Sequence, residues 1–115
     1  MSQMIYKIFR AAEWEGARKN GLFSGSSDDL RDGFIHFSTA FQVRETFDRY
    51  FSSEDNLKIA SVEGDALGDA LKWEVSRNGD KFPHLYRPLK IAEVHSIIDI
   101  GRDEDGCPIF PVEIR

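Results

Sequence analysis

Apolar residues alternate along the opening segment, with Tyr6 and Ile8 on one side and Ile5, Lys7 and Phe9 on the other, which predicts a strand from residue 4 to 9 in the sheet interior. The period then lengthens. Ala11, Trp14 and Ala17 recur every three residues and predict a helix over 11–20, closed by Asn20-Gly21 in the left-handed conformation that ends helices. Leu22-Phe23 reads as a short extended piece, and Ser24-Gly25-Ser26-Ser27-Asp28-Asp29 as a polar loop leading through Leu30 to Asp32-Gly33. Over 33–39 the period is two again: Ile35 and Phe37 share one face of a strand, and Phe34, His36 and Ser38 the other. Thr39 followed by Gln42 has capping-box spacing, so a second helix begins directly after that strand, with Ala40, Val43, Phe47, Tyr50 and Phe51 on its apolar face.

The second half reads differently. Strands are predicted over 57–62 and 72–76, separated by a turn with one helical turn in 64–71. Arg77-Asn78-Gly79-Asp80 is a turn by its Asn-Gly pair. Pro83 and Pro88 bracket His84, Leu85 and Tyr86, which predicts a short, irregular or edge segment. Leu89, Ile91 and Val94 suit a helical turn, and residues 97–100 and 109–112 a closing hairpin around Asp103-Glu104-Asp105-Gly106. Strands outnumber helices, the two main helices sit in the N-terminal half, and no regular strand-helix alternation continues past residue 53. The pattern predicts a single α+β domain over 1–115 with a mostly antiparallel, twisted and split sheet.

Length and composition support this reading. At 115 residues the chain suits one core. Its 41% hydrophobic content and nine phenylalanines are too apolar for a disordered chain, so it is expected to fold without metal or disulfide. A formal charge of −5 with no basic stripe argues against duplex nucleic acid as a partner. Cys107 alone excludes an internal disulfide and a cysteine-based zinc cluster. No signal peptide or membrane-length apolar run is evident, which makes a cytoplasmic protein the expectation. The sequence sets no oligomeric state.

The candidate chemistry lies in two segments. In the first, His36 can act as a general base or ligand donor because imidazole changes charge near neutral pH, and Ser38 points the same way at the start of a helix, where amides bind anions. A histidine satisfied by a backbone carbonyl and a capping hydroxyl are the plainer readings, and for Thr39 capping is the better one. In the second, Glu74 stands between Trp73 and Val75 and must face solvent, a cation such as Lys72 or Arg77, or a cleft. His84 and Tyr86, two apart in a proline-stiffened stretch, project to one side with Phe82. Arg77, Lys81 and Arg87 supply local cations sufficient for a phosphate. His95 has no such company. A facial triad of His36, Glu74 and His84 for iron is the metal alternative, although no local ligand motif such as His-Glu-x-x-His is present.

Asp32-Gly33-Phe34-Ile35-His36-Phe37-Ser38-Thr39, Trp73-Glu74 and Phe82-Pro83-His84-Leu85-Tyr86 together resemble the bacterial domain-of-unknown-function family numbered 952, over a stretch from Ile5 and Trp14 to about Ile98. The resemblance implies a small cytoplasmic protein similar in fold to the ADP-ribosyltransferases, which bind NAD in a cleft between two sheet halves. On that resemblance Glu74 and His36 become candidate catalytic residues for transfer of ADP-ribose, and Ser38, Arg77, His84 and Tyr86 candidate ligand-binding residues. NAD is the implied cofactor, and no metal is expected. The paired acid of such transferases is missing, since Lys72 stands two residues before Glu74. Two classes stand beside this reading: a noncatalytic small-molecule sensor or protein-interaction module, and a metal-dependent enzyme.

Overall fold

In a computed structural model, residues 3–114 are described, and β1 (Met4–Arg10) is an inner strand of a five-stranded sheet ordered β10-β9-β5-β1-β4. Its neighbours are β4 (Ser38–Thr39) and β5 (Leu57–Glu63); β9 (Val94–Arg102) and β10 (Pro108–Ile109) extend the other edge, and every pairing is antiparallel. The alternation in β1 serves two cores. Ile5 and Phe9 enter one, with Trp14, Phe23, Ile35 and Leu85, while Tyr6 and Ile8 enter the other, with Val43, Phe47 and Phe110. A strand buried on both faces needs apolar residues at every position, and the one exception, Lys7, is buried with a partner described below.

Helix α1 (Ala11–Asn20) buries Trp14 and Ala17 as the spacing predicts, and it ends at Gly21 with φ 78°. The Ser24–Asp29 stretch read as a loop instead starts a helix, α2 (Ser27–Asp32). Ser26 accepts from the Asp29 amide and Asp29 accepts from the Ser26 amide, a reciprocal box that nucleates six helical residues before Gly33, φ 86°, stops them. Three α-helices, not two, therefore stand among the described residues of the N-terminal half. The third, α3 (Val43–Tyr50), starts later than expected: Thr39 and Gln42 do exchange backbone and side-chain bonds, but these close a turn, and Gln42 precedes the first helical residue.

The strand expected over 33–39 is two strands in two sheets. Ile35–His36 forms β3, which pairs with β7 (Lys81–Leu85), whereas Ser38–Thr39 forms β4 beside β1. β7 is the centre of a three-stranded sheet ordered β3-β7-β6, with β6 at Leu71–Val75, so the segment around His84 is neither irregular nor an edge. Pro83 fits there because its carbonyl accepts from Phe37 at 3.0 Å. A strand residue directs its N and C=O to the same neighbour, so the missing N–H falls at the end of the ladder, where the chain leaves β3 for β4, and costs at most one bond. A short pair, β2 (Leu22–Phe23) with β8 (Leu89–Lys90), closes the rim. The remaining turns, at Asn78-Gly79 and 103–106, fall where the sequence places them.

Phe9 belongs to the first core, fully buried and edge-on to Trp14 at 5.5 Å and Phe23 at 4.7 Å between ring centroids. Phe9→Ala should cost about 3 to 5 kcal/mol of unfolding free energy in urea titration; a loss under about 1 kcal/mol would mean that β1 does not organise this core.

Candidate functional site

Between the two sheets runs a cleft of about 330 Å³, lined from β1, α2, β3, β4, α3 and β7. That volume matches a small molecule rather than a macromolecular groove. Its floor is organised by Asp29, which the reciprocal cap turns inward until 2% of it is exposed. Oδ1 accepts from the His36 ring Nδ1 at 2.6 Å and from the His36 amide at 3.1 Å; Oδ2 accepts from the Ser26 amide at 2.9 Å and pairs with Lys7 Nζ at 3.2 Å. Lys7 also donates to the His36 carbonyl at 3.0 Å. Burial by itself would push the Asp29 carboxyl up, but the His36 bond, the Lys7 charge and the two amides outweigh it and hold the group far below the ordinary carboxylate range. Gly25 belongs to the same device: with φ 129°, a Cβ there would lie 2.9 Å from the Asp29 Cβ.

His36 is held on both nitrogens, since Nε2 lies 3.0 Å from Asp32 Oδ2. Both contacts act as hydrogen bonds together only in the imidazolium form. Its ring centroid is 5.7 Å from that of His84, and Phe34 stands against both, stacked on His84 at 4.0 Å and tilted toward His36 at 4.6 Å.

His84 is arranged otherwise. Nδ1 donates to Glu74 Oε1 at 2.9 Å, and the Tyr86 hydroxyl donates to the same oxygen at 2.6 Å. A carboxylate can only accept, so Nδ1 carries the proton; no group among the described residues bonds Nε2, and the ring lines the cleft. Burial pushes the His84 imidazolium below the ordinary histidine range, against the pull of Glu74, and the neighbouring His36 adds to the lowering. Glu74 in turn is lowered, first by Tyr86 and then by His84.

Arg77 closes the far end. Its guanidinium lies over Phe82 at 4.9 Å and Nη2 donates to Thr46 Oγ1 at 2.8 Å, which is 3.0 Å from Ser38 Oγ. Nη1 is buried without a hydrogen-bond partner, and Arg77 pairs with no carboxylate among the described residues.

Of the sequence candidates, His36, Ser38, Arg77 and His84 line the cleft. Glu74 and Tyr86 do not: they bind each other and the Nδ1 side of His84, so Glu74 meets neither Lys72 nor Arg77 as an ion pair. His36, Glu74 and His84 do not converge as a facial triad, and no group of three or more metal-ligating side chains occurs among the described residues. Asp29, Lys7 and Thr46 escaped the sequence reading. Ser26-x-x-Asp29 carried the capping signal for the first, and a lysine amid Ile5, Ile8 and Phe9 hinted at a buried pair for the second.

Residues 8–97 match the family model described as a protein of unknown function, DUF952. The chain belongs to this family. It is 47% identical to protein CC0527 from Caulobacter crescentus, whose crystal structure superposes with a TM-score of 0.90 over 96% of this chain and 97% of that one. The solution NMR structure of CC0527 gives 0.82 at 50% identity, covering 91% and 90%. No curated protein matches the sequence. Among the described residues no helix of this DUF952 chain is long and apolar enough to cross a membrane.

Asp29→Asn leaves Lys7 uncompensated in the core and should cost about 3 to 5 kcal/mol. The native carboxylate binds its proton more weakly folded than unfolded, so its contribution is complete above the unfolded value of about 3.9 and is lost as pH falls below it. Acid titration of stability should therefore be shallower in the variant below about pH 4; identical acid limbs would remove Asp29 from this role.

Proposed function

We propose that the cleft binds a small phosphorylated, nucleotide-like ligand, with a fold of the ADP-ribosyltransferase kind. The observation that carries this reading is Arg77: a guanidinium nitrogen buried without a partner at the wall of a cleft is costly unless an anion completes it. Thr46 and Ser38 line the cleft beside it and hold the guanidinium in place through the Thr46 hydroxyl. The position of the cleft between a five-stranded and a three-stranded sheet supports likeness to folds that hold NAD between two sheet halves.

Transfer of ADP-ribose is a weaker fit than binding. Such transfer calls for a carboxylate facing the anomeric carbon, and Glu74 instead serves His84 and Tyr86. His36, pinned by Asp29 and Asp32, acts in this reading as a fixed wall, and Tyr86 acts through Glu74 rather than by stacking on a ligand ring.

ADP-ribose and NAD should raise the melting temperature and shift the amide resonances of Ser38, Thr46 and Arg77. Arg77→Ala should weaken binding at least about tenfold in calorimetric titration, the scale of a lost charged hydrogen bond. Absence of any shift with either compound, or unchanged affinity in the variant, would end this reading.

A further inference from the structure

One cation lining the cleft has no carboxylate partner among the described residues. Lys7 is matched by Asp29, Arg10 by Glu54 and Glu13, and Arg31 by Asp28 and Asp32, while Arg77 has no carboxylate among the described residues. A phosphodiester carries one negative charge near neutral pH, whereas a phosphomonoester carries about 1.5 to 2. With Glu13, Asp28 and Asp32 around the same space, the second charge of a monoester meets repulsion. The single charge of a diester therefore suits Arg77 and the surrounding carboxylates better than the larger charge of a monoester.

Position selects the reactive group. Arg77 rests on Phe82, and Phe82 and His84 lie two residues apart on one face of β7, a spacing of roughly 6 to 7 Å. Arg77 and His84 thus stand on the same side of β7 at the cleft wall, and His84 Nε2 is the imidazole nitrogen that no group among the described residues bonds. Resting on the anion-binding reading above, we propose that this cleft hydrolyses phosphodiesters, with His84 as the general base, Glu74 as the residue that positions it, and Arg77 as the clamp on the diester. His84 Nε2 takes a proton from water as the water oxygen forms a bond to phosphorus. The P–O bond to the leaving alcohol breaks with its electron pair on the alcohol oxygen, which takes a proton from solvent while His84 releases its own. One water is consumed, and one phosphomonoester and one alcohol form.

His84 must be neutral to accept a proton, so the rate rises with pH through its titration. The groups facing it are Glu74 and Lys72 from β6, His36 from β3, Asp32 from α2 and Tyr86 just beyond β7. Of these, the Glu74 carboxylate holds the imidazolium up, so removing its charge moves the rising limb to lower pH.

The test is release of 4-nitrophenolate from bis(4-nitrophenyl) phosphate by the full chain, with 4-nitrophenyl phosphate as the monoester. The expected results are faster turnover of the diester, a rising limb below the ordinary histidine range, and a kcat at least about 100-fold lower in His84→Gln with KM little changed. Glu74→Gln should lower kcat, keep KM and shift the limb to lower pH. Wild-type protein that binds ADP-ribose but turns over neither probe would overturn the hydrolase and leave the binding site standing; failure to bind ADP-ribose as well would remove both. A His84→Gln rate within threefold of wild type would exclude the base, and an unshifted limb in Glu74→Gln would exclude the positioning role. Should His84→Gln not fold, the wild-type pH profile decides, because a flat profile overturns the proposal.

Discussion

The buried carboxylate of Asp29 is the constraint around which the site is built. A charge removed from water is tolerated only when paired and fully hydrogen-bonded, and here Lys7, the His36 ring and amide, and the Ser26 amide satisfy it on both oxygens. These partners belong to β1, β3 and the start of α2, so one group ties an inner strand of the large sheet to the edge strand of the small one. Lys7 reinforces the tie by reaching the His36 carbonyl. The arrangement explains why a lysine is admitted to a strand buried on both faces, and why glycine is required at position 25.

Two sheets exist because the chain changes partners at Phe37. β3 leaves β7 at the point where Pro83 has no amide to offer, and two residues later β4 joins β1. The opening between the sheets becomes the cleft, with Ser38 contributed from one sheet and His36 and His84 from the other. Carboxylates then set the two imidazoles differently. His36 has both nitrogens engaged, whereas His84 has only Nδ1 engaged among the described residues, by Glu74, and its ring lines the cleft. CC0527 shares this fold at close to half identity, both in the crystal and in solution.

Much of the fold was legible because local signals agreed with it. The period of two in β1, the Trp14-Ala17 stripe with Gly21, and the Asn78-Gly79 turn all read correctly. Misreadings arose where a tertiary partner decided. Alternation over 33–39 reports that side chains alternate but not which strand lies alongside, so a strand shared between two sheets looks continuous. Proline in β7 argues for an edge until the neighbour's departure at Phe37 is known. The site followed the same rule: His36, Ser38, Arg77 and His84 were visible as residue types, but whether Glu74 faces the cleft or the back of His84 depends on the register Lys72 to His84 and Glu74 to Phe82. Asp29 was hidden because its capping pattern sat inside a polar stretch whose composition suggests a loop.

Glu74 holds His84 by Nδ1 alone and leaves Nε2 without a partner among the described residues, in a ring that lines the cleft. Long-range proton-nitrogen NMR of the histidine rings at pH 7.5 tests it most directly. The account predicts that His84 is the neutral tautomer protonated on Nδ1, with an unprotonated Nε2 resonance that moves when a phosphodiester is added. A His84 ring protonated on Nε2, or an Nε2 resonance indifferent to the diester, would contradict it.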